Sequence, residues 1–136
     1  MQIIPHLNFN GQCAEAFKFY QQHLGAKTTF MMTFGESPMA ADMPPEWHSK
    51  IIHASIVCGE SHLMGSDAPP GRYVKPDGIT ISIDLKSTAE AERIFKSLSE
   101  NGSVQMPLAQ TFWAERFGML TDQFGIPWMI NCSKPA

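Results

Sequence analysis

Apolar positions along the chain change their period several times, and the changes come in the same order twice. Residues 11–24 set Cys13, Ala16, Phe17, Tyr20 and Leu24 on one stripe at spacings of three and four, with Gln12, Glu15, Lys18, Gln21 and Gln22 on the other side. This is the pattern of an amphipathic helix, and Gly25 follows it as a residue that takes the left-handed backbone at low cost and ends the helix. Residues 87–100 repeat the pattern with Ala91, Ile94, Phe95 and Leu98 as the stripe and Asn101-Gly102 as the stop. Ser87-Thr88-Ala89-Glu90 predicts a capping box, in which Ser87 accepts from the backbone and Glu90 reaches back. Short strand-like segments precede the helices, residues 3–9 before the first and 79–85 before the second.

Each helix is followed by three extended segments. After the first come residues 27–34, 51–58 and 62–66, and the turn Gly59-Glu60-Ser61 predicts that the last two form a hairpin. After the second come residues 104–108, 114–121 and 126–131, with turn chemistry at Asp122-Gln123-Phe124-Gly125 between the last two. The chain therefore reads as α+β, a single domain made of two βαβββ modules over about residues 1–67 and 78–133, joined by an irregular linker. A helix with one apolar face covers one side of its sheet and leaves the other free, so the two modules are expected around a shared concave surface. The irregular segment 35–49 carries Pro38, Met39, Met43, Pro44, Pro45 and Trp47. That composition suits a lid over a pocket that moves on binding, or a plug in which Trp47 fills a gap beside the sheet.

Bulk composition narrows the function classes. With 136 residues the two modules are too small to bury separate cores. A formal charge of −3 gives no electrostatic reason to expect nucleic acid or anionic lipid as partner. No apolar run approaches the ~18 residues that span a bilayer, and the N-terminus lacks a basic segment leading into an apolar one, so a cytoplasmic protein is expected. Cys13, Cys58 and Cys132 are odd in number and not at metal-ligand spacing, which predicts reduced, packed thiols. No Ser-His-Asp order, Cys-His pair, phosphate-cradling loop or dinucleotide glycine pattern is present.

Several stretches carry a family resemblance. Pro5-His6-Leu7-Asn8-Phe9-Asn10-Gly11 with Ala14-Glu15-Ala16 and Phe19-Tyr20, then His53-Ala54, then Leu63-Met64-Gly65-Ser66-Asp67, and above all the run from Trp113 to Trp128 resemble PhnB-like proteins of the vicinal oxygen chelate superfamily. That superfamily also holds glyoxalases, bleomycin-resistance proteins and extradiol dioxygenases, and part of this group is labelled 3-demethylubiquinone-9 3-methyltransferase-like. Nothing here resembles the glycine-rich strand-helix turn that cradles a methyl donor. The resemblance implies curved mixed sheets around a concave cavity, a homodimer and a small-molecule ligand.

Metal-dependent members of the superfamily place a His, Gln or Glu ligand on the first and last strand of each module. Carried onto this chain, those positions fall at His6, near Met64, around residues 78–80 and near Met129. Only His6 is a usual ligand for a divalent ion, and a thioether suits Cu(I) instead. No metal and no cofactor are therefore expected. His6 reads either as a strand histidine bonded to a neighbour or as a pocket base. His53 and His62 lie on adjacent hairpin strands and share a face only if the register allows; His23 and His48 read as surface or loop residues. Trp113 and Arg116 read as core packing with a surface ion pair, or as a pocket wall whose guanidinium holds an anionic group. The candidate ligand-binding residues are His6, Trp47, His53, Met64, Trp113, Arg116 and Met129. The function expected is small-molecule binding or metal-independent catalysis. A divalent-metal lyase or dioxygenase, or a drug-sequestering protein, are the alternatives.

Overall fold

The computed structural model describes residues 1–135, and the chain divides into two compact units, Met1–Lys75 and Pro76–Ala136. The first contains β1 (His6–Phe9), α1 (Cys13–Leu24), β2 (Lys27–Thr33), β3 (Ile51–Cys58) and β4 (Ser61–Asp67). Its strands form one sheet in the order β1-β4-β3-β2, with β1 parallel to β4 and the other neighbours antiparallel. The second unit repeats the plan with β5 (Ile81–Leu85), α2 (Thr88–Ser99), β6 (Ser103–Ala109), β7 (Ala114–Thr121) and β8 (Pro127–Ser133), in the order β5-β8-β7-β6. Here too the first and last strands run parallel, β5 beside β8. The α+β reading with two βαβββ units is thus realised. Among the described residues, no helix is long and apolar enough to cross a membrane.

In each unit the stripe read from the sequence becomes the buried face of the helix. Helix α1 buries Cys13, Ala16, Phe17 and Tyr20, while Leu24 at its end is only half-buried. Helix α2 buries Ala91, Ile94, Phe95 and Leu98. The sheets make room for the large rings by giving up side chains. A Cβ at Gly65 would stand 2.8 Å from Cζ of Phe17, and one at Gly118 would stand 2.7 Å from Cε2 of Phe95. Both distances are below van der Waals contact, so glycine is what allows each phenylalanine to lie flat on its sheet.

Element ends follow local chemistry, and several differ from the sequence-based boundaries. Strand β1 begins at His6, and β5 at Ile81 instead of residue 79. Helix α1 starts at Cys13, two residues late, because Gly11 sits at φ 83, outside any helix. Gly25 closes that helix at φ 70, as expected. At the end of α2 the left-handed position goes to Asn101, at φ 58, while Gly102 is needed because a Cβ there would collide with the carbonyl oxygen of Thr121. Ser87 does accept from the Glu90 N–H, at 3.2 Å. A reciprocal box forms elsewhere, between Thr33 and Glu36: each backbone N–H donates to the other's side chain, at 3.0 and 3.2 Å. The Thr33 N–H, and then the Thr33 hydroxyl, both donating to the Glu36 carboxylate, hold its pKa below the ordinary value.

Two aspartates do more than cap turns. Asp67, buried, accepts from the Cys13 N–H at 2.9 Å and the Ile51 N–H at 2.8 Å, tying the start of α1 and of β3 to the end of β4. Asp122 accepts from the Phe124 and Ile126 N–H groups and, at 2.8 Å, from the indole of Trp128, so one carboxylate sets both the β7–β8 turn and the largest core ring of its unit.

The segment between β2 and β3 is not structureless. It contains three short 3-10 turns, Phe34–Glu36, Ala40–Asp42 and Pro45–Trp47. Its base continues the hairpin through Phe34 N–H to Lys50 O and Gly35 N–H to His48 O, both 2.9 Å. His48 lies in this loop, as expected, and is its anchor: Nε2 lies 2.8 Å from Ala40 O and 3.1 Å from Met43 O.

Candidate functional site

Side chains alternate across a strand, so the glycine contacts fix which face each residue takes. Gly65 faces α1, as do its register partners Leu7 and Ala54. The residues between them point away from the helix. One row across that free face is His6, Met64, Ser55 and Phe30; the next is Asn8, Ser66, His53 and Met32. His62, in register with Val57, continues the face and so shares it with His53. This settles the register question that the sequence left open.

The two imidazoles meet over the strand between them. His6 on β1 and His53 on β3 stack with ring centroids 5.9 Å apart and planes 24° apart, and Phe30 leans on His53 at 5.7 Å. Nε2 of His6 lies 3.0 Å from Oγ of Ser66, and that hydroxyl lies 3.4 Å from Oδ1 of Asn8. Nε2 of His53 is 3.5 Å from Oγ of Ser55. Partial burial, and then the neighbouring His53, lower the His6 pKa from the ordinary 6.5. At neutral pH His6 is therefore an uncharged imidazole, able to accept a hydrogen bond or a proton. Phe30 is 44% exposed, and Met64 and Met32 are half-buried beside the rings. The face combines a neutral base, two hydroxyls, a carboxamide and deformable apolar surface.

Of the residues singled out from the sequence, His6, His53 and Met64 come together on this face. Trp47 lies in the third 3-10 turn of the β2–β3 loop, half-buried, and its indole N–H is buried without a hydrogen-bond partner. In the second unit Trp113 is 47% exposed and packs edge-on against Phe112 at 4.7 Å and Phe117 at 5.2 Å. Arg116 pairs with Cys132, on the side that faces α2, and its Nε donates to Glu92 of that helix at 3.2 Å. Arg116 thus realises the surface-ion-pair reading. Met129 points away from α2 while Trp128 is buried under it, in the alternation expected of one strand. Ser66, Ser55, Asn8 and Phe30 were not singled out, because only strand register reveals that they border the histidines.

The residues do not fit the divalent ion that the family resemblance brings to mind. Ser82 pairs with Met129 just as His6 pairs with Met64, so the matching position in the second unit is Ser82 and not residues 78–80, which precede the strand. Neither the imidazole and thioether of the first unit nor the hydroxyl and thioether of the second are the donors that Zn, Mn or Fe take. Among the described residues no group of three or more His, Cys, Asp or Glu stands together as metal ligands would.

Comparison with known proteins places this arrangement. Residues 3–130 match the family described as the Glyoxalase/Bleomycin resistance protein/Dioxygenase superfamily. Protein YjdN of Escherichia coli (strain K12) is 37% identical over 142 positions, covering 98% of this chain and 97% of that protein. The crystal structure of protein PA1353 from Pseudomonas aeruginosa is 50% identical with a TM-score of 0.89, covering 99% of each chain. A Bacillus cereus PhnB protein, described as a putative 3-demethylubiquinone-9 3-methyltransferase, shares the fold at 19% identity and a TM-score of 0.82, covering 98% of this chain and all of that one.

Proposed function

Because the chain belongs to the glyoxalase/bleomycin resistance protein/dioxygenase superfamily, we propose that it is a PhnB-like small-molecule binding protein or metal-independent enzyme whose ligand lies on the helix-free face of the first sheet. The observation that carries this reading is the stacked pair of His6 and His53, with His6 held neutral, on a face that also presents Phe30, Met64 and Ser66. This face sets imidazole, hydroxyl and carboxamide groups beside flat and polarisable surfaces, which is the make-up of a small-molecule site. The site needs no metal: proton acceptance by His6 is the chemistry its own residues supply.

A homodimer belongs to the same reading. Met31, Val104, Met106 and Trp113 are large apolar residues between 39% and 47% exposed, surface that a second copy of the chain would cover. A cytoplasmic location is supported by the free state of Cys13, Cys58 and Cys132.

The test is a fragment screen by thermal shift, followed by NMR on the hits. Binders should raise the melting temperature and move the ring signals of His6, His53 and Phe30, and His53→Ala should abolish both effects. Hits that stabilise the protein while leaving those rings unmoved would place the ligand elsewhere and overturn the reading.

A further inference from the structure

We infer that Ser66 fixes His6 as its Nε2–H tautomer, leaving Nδ1 as the bare acceptor offered to a ligand, and that the ligand is therefore a planar molecule presenting an O–H or N–H donor next to its ring. This deepens the small-molecule reading above and rests on it.

The argument is a count of protons. A serine hydroxyl has one hydrogen to give, and a carboxamide oxygen only accepts. Oγ of Ser66 has two partners, Asn8 Oδ1 at 3.4 Å and His6 Nε2 at 3.0 Å. Its single proton goes to the oxygen of Asn8, which has none to share. Towards His6 the hydroxyl then acts as acceptor, so His6 donates from Nε2. A neutral imidazole carries one N–H, so Nδ1 holds only a lone pair. Burial and the nearby His53 both disfavour a second proton on the ring.

The consequence for a ligand is directional. A carboxylate or carbonyl oxygen set against Nδ1 meets lone pair with lone pair, whereas a hydroxyl or N–H makes a hydrogen bond. The flat faces nearby, His53 stacked on His6 and Phe30 tilted on His53, favour a ring as the body that carries this donor. Ser66 acts through His6 and is a positioning residue; Asn8 in turn positions the Ser66 proton.

Long-range 1H–15N correlation of the histidine rings at pH 7.5 reads the tautomer directly. The expected spectrum shows His6 protonated at Nε2 in the wild type and in Asn8→Asp, where a carboxylate is still an acceptor. Ser66→Ala should give a mixture of tautomers, and Ser66→Thr, which keeps the hydroxyl, should restore the single form. Phenol and anisole are then titrated as matched probes with and without the donor. Phenol should bind about fivefold more tightly, the worth of one neutral hydrogen bond, and should move the Nδ1 signal of His6. A wild-type His6 protonated at Nδ1 would overturn the inference and leave the small-molecule reading standing. Equal binding of the two probes would overturn the ligand class. Failure of every screened compound to perturb this face would remove the reading itself, and the inference with it.

Discussion

His6 and His53 stack with ring centroids 5.9 Å apart although a whole strand, β4, lies between the strands that carry them. Each imidazole leans over β4, and protonating His6 sets a charge against the ring of His53. The other titratable groups on this face are His62, and Lys27 at its far edge opposite Val57. The pKa of His6 is lowered in the folded chain, so the unfolded chain binds more protons as the pH falls. The stability present above pH 6.5 is then lost as the pH falls through the folded value of His6, and below that it levels off. His6→Gln should show a smaller drop in urea midpoint between pH 7.5 and 5.0 than the wild type. An equal drop in the two proteins would mean that His6 titrates normally. NMR titration of His53→Gln should find the His6 pKa moved back toward the ordinary value.

Gly65→Ala should destabilise the first unit by about 1–3 kcal/mol, the usual range for overpacking. The added methyl would stand 2.8 Å from Cζ of Phe17 and 3.1 Å from Cε2 of Phe9, both rings fully buried. Phe17→Leu opens space at the same place, so the double variant should lose less than the sum of the two single losses. Denaturant unfolding of the four proteins measures the coupling, and strict additivity would show that the ring moves aside at no cost.

The helices, the eight strands and the two-unit plan were legible in the sequence because periodicity and turn chemistry are local. The stripe Cys13, Ala16, Phe17 and Tyr20 needs no knowledge of what covers it. The site was only partly legible because it is built by register. His6 and His53 are 47 positions apart, and their meeting depends on β1 pairing with β4 so that His6 faces Met64, and on β3 pairing with β4 so that Ser55 does too. The family resemblance supplied His6 and Met64 as positions of interest; Ser66 and Asn8 lie within the same resembling stretches but, as ordinary polar strand residues, gave no sign that they border the histidines. Arg116 was ambiguous for a related reason: a guanidinium in a strand reads equally as a ligand clamp or an ion pair, and its facing Glu92 becomes visible only in the fold. His48 read as a surface or loop residue and does lie in the loop, but its anchoring role was hidden because its two carbonyl partners lie on backbone, which a sequence pattern does not show.

Cys13 should resist thiol reagents in the folded protein. Burial, and then the carboxylate of Asp67, push its pKa up to about 12, so almost no thiolate is present at neutral pH. Cys58 is exposed, while Cys13 and Cys132 are buried, so one cysteine per chain should react rapidly and two only on unfolding. Asp67→Asn replaces an acceptor oxygen by an N–H₂ that faces either the Cys13 or the Ile51 N–H. An unsatisfied buried donor costs about 1–3 kcal/mol, and the loss should appear in denaturant unfolding together with faster labelling of Cys13. Unchanged labelling would show that the start of α1 is held without Asp67.

Trp47 separates packing from gating in the β2–β3 loop. A lid that opens would have to break the Phe34–Lys50 and Gly35–His48 backbone bonds, the His48 anchor, or the bond from Lys50 Nζ to Gly11 O at 3.0 Å. Such a loop is built to stay closed, and Trp47 is expected to be a packing residue. Its orphaned indole N–H makes a sharp test. Trp47→Phe keeps most of the ring and removes the unsatisfied donor, so stability should hold or rise by about 1 kcal/mol. Trp47→Ala removes the ring and should cost less than the ~3–5 kcal/mol of a fully buried tryptophan, because this one is half-buried. In both variants the affinity of fragments that bind over His6 and His53 should stay within about twofold of wild type, since only the stability of the loop is altered. A tenfold loss of affinity in Trp47→Ala with stability intact would instead make this residue part of a lid, and the loop would then have to open despite its bonds.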